Sequence, residues 1–212
     1  MLKQIANELK THAPFTAAGA ATGIVLMALI VVLGMTARAS SAVFYTLHPL
    51  HVVLSALATT SMYRLHGKGR AWVAVLIGYT GSIGIATLSD AVIPFLGGTL
   101  LGVDMHFHVP FIESGRMPFI GIQKWVIVNS GAAIGIAAGL WRPKTKLPHL
   151  GHVLLSTWAS LFSFAAFGVA NWIPLLPALF VFLFLAVWLP CCASDVIYPL
   201  LWVKRASREE PA

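Results

Sequence analysis

The sequence predicts an all-α integral membrane protein: six transmembrane helices in a 3+3 inverted-topology repeat, both termini cytoplasmic. Three observations carry this. Hydrophobic residues make up 58% of the 212 residues and charged ones only 10%, with a mean hydropathy of +0.83. Apolar runs of spanning length recur along the chain. Matching motifs recur in the two halves. A soluble domain of this size carries roughly 25% charged residues. Seven acids and fourteen bases cannot cover a 22.7 kDa globule with solvated surface. That excludes a soluble enzyme, a disordered chain and a coiled coil, and makes the lipid bilayer the first partner.

A spanning helix needs roughly 20 apolar residues. The first span covers 14–35 and follows Lys3 and Lys10. With Ala37-Arg38-Ala39 it has the outline of a signal peptide, but its apolar stretch is too long for one. The second span covers 42–63 and the third 71–96. The fourth, 125–141, is short and glycine-rich, and the fifth covers 149–170. The sixth, 174–203, contains Pro177, Pro190 and Pro199, so a kink is predicted. The organisation is a first repeat (1–101), an extracytoplasmic connecting loop (102–122), and a second repeat with a cytoplasmic tail (123–212).

Orientation follows from the bases. Eleven (Lys3, Lys10, Arg64, Lys68, Arg70, Arg142, Lys144, Lys146, Lys204, Arg205, Arg208) fall on one side of six spans, and Arg38, Arg116 and Lys124 on the other. Lys and Arg concentrate on the cytoplasmic side, which puts both termini there. The expected location is the cytoplasmic membrane of a prokaryote. The net charge of +7 does not imply nucleic acid, because no basic face or aromatic platform accompanies it. A homo-oligomer is compatible with the sequence. Adjacent Cys191 and Cys192 imply no disulfide framework and read as small buried hydrophobes; lying one turn before Asp195, they are the disfavoured alternative of a soft ligand to the inner site.

The repeat rests on three blocks in the same order. His48-Pro49-Leu50-His51-Val52-Val53-Leu54-Ser55 matches His149-Leu150-Gly151-His152-Val153-Leu154-Leu155-Ser156 at an offset of 101 residues. Ser89-Asp90-Ala91-Val92-Ile93-Pro94 matches Ser194-Asp195-Val196-Ile197-Tyr198-Pro199. Gly19 to Ile24 matches Gly131 to Ile136 more weakly. Three spans per half is an odd number, so the halves enter the membrane from opposite sides, as in many transporters. The glycines at small-xxx-small spacing, Gly19/Gly23 and Gly131/Gly135/Gly139, are assigned to close helix packing.

His48, His51, Ser55 and Thr59 form one helical stripe, and His149, His152, Ser156 and Ser160 repeat it. Intramembrane polar groups face a bundle interior or a cavity. Asp90 and Asp195 are the acids that can lie within spans. Topology groups His48, His51 and Asp90 toward the outer face, and His149, His152 and Asp195 toward the inner. Two imidazoles one turn apart with a carboxylate suit a divalent metal ion: Zn, Fe, Mn, Co or Ni. Hydrogen-bonded structural histidines are the plainer alternative, and duplication argues against it. Back-bonding to the helix is the simpler role for the hydroxyls. The outer loop adds His106, His108 and Glu113 as accessory ligands; in an extended segment the two histidines would point the same way.

The expected function is therefore a secondary carrier or channel for a divalent transition-metal ion. The alternative is a membrane-embedded metalloenzyme acting on a lipid or small apolar substrate at the outer site, with Asp90 or Glu113 as base. Catalytic residues are not assigned. A haem held by His51 and His152 is disfavoured, because the topology places them in opposite leaflets. No His-Glu-x-x-His, Gly-x-Ser-x-Gly or Walker sequence occurs, and no lysine lies within a span.

Overall fold

The computed structural model describes residues 2–66, 70–117, 120–143, 146–192 and 197–209, with side chains over 10, 13–66, 70–117, 120–143, 151–191 and 197–203. The chain is built almost wholly of helix: α1 (Leu2–Val32), α2 (Ala37–His66), α3 (Ala71–Thr87), a π turn (Leu88–Val92), α4 (Ile93–Leu100), α5 (Lys124–Trp141), α6 (Lys146–Phe167), α7 (Leu176–Cys192) and α8 (Tyr198–Glu209). Two short strands, β1 (Asp104–Met105) and β2 (Gly168–Val169), and a 3-10 turn at Ile173–Leu175 complete it. Among the described residues, five helical stretches are long and apolar enough to cross a membrane: Ala13–Val32, Ala37–His66, Ala71–Leu100, Lys124–Trp141 and Ile173–Cys191. α6, 22 residues long, adds a further apolar stretch at Gly151–Phe167. The molecule is thus a multi-pass helical membrane protein by length and composition. Of the sixth span expected over 174–203, α7 covers the stretch to Cys192, and a π residue, Ile197, leads into α8 from Tyr198; 193–196 lie outside the described residues.

α2 begins five residues before the expected 42. Gly34 adopts φ +60, a conformation that suits glycine at a helix C-terminus. The Met35 amide then donates to the Ile30 carbonyl at 3.0 Å. Thr36 caps the next helix, its Oγ1 accepting from the Ala39 amide at 3.2 Å. Chain reversal is therefore complete within four residues, and α2 gains more than a turn at its start.

α2 is the central helix, packed on α3, α5 and α6, and α1 lies against α6 and α7. The α2–α5 crossing is set by the glycine stripe. A Cβ at Gly131 would lie 3.0 Å from the Pro49 carbonyl oxygen, and one at Gly139 3.0 Å from that of Leu57. At Gly135 it would overlap the Val53 carbonyl outright. Backbone thus rests on backbone over two turns, the close approach that small residues permit in lipid. In α1, Gly19 and Gly23 face Thr157 and Leu183.

After α4 the chain returns through a loop pinned to the α6–α7 turn. β1 and β2 pair antiparallel, with Asp104 opposite Val169 and Met105 opposite Gly168. The His106 amide extends the pairing to the Phe167 carbonyl at 2.8 Å. The C-terminal ends of α4 and α6 consequently sit at the same end of the bundle.

Candidate metal centre

The π turn positions the central acid. Pro94 has no N–H for the Asp90 carbonyl, and its ring crowds that carbonyl in a regular helix. The chain widens instead: the Ile93 amide reaches back five residues to the Leu88 carbonyl. Ser89, Asp90 and Ala91 are carried on this wider turn into the bundle interior, all fully buried. Single π turns of this kind recur at functional sites.

Asp90 meets side chains from α2 and α6. Its Oδ2 accepts from His48 Nδ1 at 2.8 Å and His51 Nδ1 at 2.7 Å, both on α2. Its Oδ1 accepts from Ser89 at 2.6 Å and from Ser156 on α6 at 2.9 Å. Ser160 Oγ lies 3.3 Å from Oδ1 and gives its one proton to the nearer Ser89 carbonyl at 2.9 Å. A buried carboxylate costs several kcal/mol unless hydrogen bonds surround it, and here four groups donate to it. Because the carboxylate accepts at both Nδ1 atoms, each imidazole carries its proton there, leaving Nε2 as the lone-pair nitrogen.

Beyond Asp90 the cluster continues into α6 and α7. The rings of His51 and His152 stack at 5.2 Å between centroids, inclined by 27°. Cys191 Sγ, at the end of α7, is 3.6 Å from Ser156 Oγ. Two overlapping sets of donors result, each with one atom per residue within 4.8 Å of the others: His48, His51 and Asp90, and His51, His152 and Cys191. Ser55 and Thr59, the remainder of the α2 stripe, are buried as well.

This corrects the expectation that His51 and His152 occupy opposite leaflets. Both helices start earlier than their apolar runs suggest. With α2 beginning at Ala37, His51 falls midway along it. With α6 beginning at Lys146, His152 lies nearly two turns inside. The stacked rings also leave no space for a haem between them. His149 and Asp195 of the expected inner set, and Ser194, lie outside the residues whose side chains are described.

The loop groups do not join the cluster. His106 is exposed while His108 is buried, so the two point to different sides, because strand geometry ends at Met105. The His108 ring stacks on Phe167 at 3.7 Å and meets Phe44 edge-on at 5.1 Å. Phe44 in turn stacks on His48. Glu113 is held elsewhere, with one oxygen on Lys124 Nζ at 2.5 Å and the other accepting from the Tyr45 hydroxyl.

Sequence reasoning does not single out Ser89, although it is visible in the paired Ser-Asp blocks, where a serine precedes the aspartate twice. Cys191 is placed by the sequence only as a disfavoured ligand one turn before Asp195; it comes from a different helix than His51, and no spacing links the two. Comparisons with protein-family models, curated proteins and solved structures find no match to this chain.

Proposed function

We propose that the protein carries a divalent transition-metal ion (Zn, Fe, Mn, Co or Ni) across the membrane, binding it at the buried cluster around Asp90. The observation that carries this reading is the mixed origin of the cluster. His48, His51 and Asp90 come from the first half, and His152, Ser156 and Ser160 from the second. A carrier of the inverted-repeat type moves one half against the other around a fixed site near the bilayer midplane. A site whose donors are divided between the halves is remade or broken by that movement. His51, midway along a 30-residue helix, has the depth such a site requires.

A metalloenzyme reading finds less support. It rests on the outer loop, whose His106, His108 and Glu113 are engaged or exposed away from the cluster.

Purified protein in liposomes loaded with a metal-sensitive dye tests the proposal. Influx of Zn²⁺, Fe²⁺, Mn²⁺, Co²⁺ or Ni²⁺ is expected for at least one ion. His51→Ala and His152→Ala should each abolish it. Flux unchanged in both variants would refute the carrier.

A further inference from the structure

Resting on the metal reading above, we infer that the ion is bound by imidazole and thiolate through His51, His152 and Cys191, and that Asp90 orients ligands without touching the metal. The site then selects a borderline-soft ion, with Zn²⁺ the member of the proposed set it fits best.

The argument begins with the carboxylate's capacity. A carboxylate offers about four lone-pair sites, and four donors (His48, His51, Ser89 and Ser156) already occupy the two oxygens of Asp90. A metal on Asp90 would have to displace several of them. The same contacts are what a metal-ligating histidine wants from a partner: a carboxylate on the N–H that fixes tautomer and ring orientation and raises the basicity of the other nitrogen. Asp90 does this for His48 and His51 together.

The other donor set has ligands to give. His51 Nε2 is its lone-pair nitrogen once Nδ1 is committed to Asp90. His152 is stacked beside it and Cys191 is within reach, all three buried. Two imidazoles and a thiolate match zinc sites that keep one tetrahedral position open. An open position suits an ion that must later be released. A thiolate selects against hard Mn²⁺, which prefers oxygen donors. The thiol proton leaves to solvent as the metal–sulfur bond forms. His48 Nε2, fully buried and without a hydrogen-bond partner among the described residues, is a further lone pair in the same cluster.

Co²⁺ is the probe, because thiolate–cobalt charge transfer gives a near-ultraviolet band that nitrogen and oxygen ligands do not. The detergent-purified protein should bind Co²⁺ and show this band. Cys191→Ser should remove it, whereas Cys192→Ser should leave it intact. Asp90→Asn should weaken Co²⁺ binding by about 10–100-fold while keeping the band, as loss of an orienting partner does. Zn²⁺ should displace the cobalt and Mn²⁺ should not. Co²⁺ binding without the band, or a band that survives Cys191→Ser, overturns the thiolate assignment and leaves the carrier standing. Loss of the band in Asp90→Asn overturns the orienting role. A failure to bind Co²⁺ or Zn²⁺ at all overturns the imidazole–thiolate site, and the carrier falls with it only if no flux of Fe²⁺, Mn²⁺ or Ni²⁺ is found either.

Discussion

At the scale of single residues, His108 shows how burial turns a sequence feature into a measurable one. It lies in the loop after α4, 6% exposed, between the rings of Phe167 and Phe44. Burial pushes its imidazole down to about 4, reinforced by His48 and Lys124 and opposed by Glu113. The unfolded chain takes up that proton from about 6.5 downward. Stability is therefore full above about 6.5 and falls as pH drops toward 4, by a total on the order of 3 kcal/mol. Thermal unfolding in detergent between about pH 7 and about pH 5 should show the fall. His108→Phe, which keeps the stack, should flatten it relative to the native chain. Equal slopes in the two proteins would show that His108 is not the group responsible. The pattern His-x-His is legible in the sequence, but its meaning is not. The two histidines diverge because the strand ends one residue before them.

At the scale of helices, the glycines divide into those that meet backbone and those that do not. Gly135 faces the Val53 carbonyl and the Ala56 side chain, so Gly135→Ala must push α5 away from α2. Overpacking of this kind costs roughly 1–3 kcal/mol, and more where backbone is struck. Gly84, in α3, has nothing within 4 Å of the position an added methyl would take. Gly84→Ala should therefore stabilise by about 0.5–1 kcal/mol, since it removes only unfolded-state freedom. Melting temperatures of the two variants in the same detergent should move in opposite directions. A Gly135→Ala variant as stable as the native chain would dismiss the close crossing. Small-xxx-small spacing alone reveals the role of Gly131, Gly135 and Gly139, because period and residue size are both written in the sequence. The π turn is not legible there. Pro94 announces a disturbance, but whether the helix kinks, breaks or widens depends on the neighbours that hold Asp90.

At the scale of the whole molecule, five helices among the described residues are long and apolar enough to cross a membrane, and α6, 22 residues from Lys146 to Phe167, is the further candidate. α6 carries His152, Ser156, Thr157, Ser160 and Ser163, all buried, so its polar groups face protein rather than lipid. That polar stripe is the one that reaches Asp90. Counting crossings then becomes an experiment on the termini. If α6 crosses, the number is even and both ends share one side; without it the ends lie on opposite sides. The Lys and Arg asymmetry predicts the first outcome. Green fluorescent protein fused to either terminus should fluoresce, as it does in the cytoplasm. Alkaline phosphatase fused after the exposed Gly115 should be active, as it is outside. Phosphatase activity from a fusion at the C-terminus would instead remove α6 as a span. The two halves could then no longer be related by inversion, and a site divided between them would lose its reason to move.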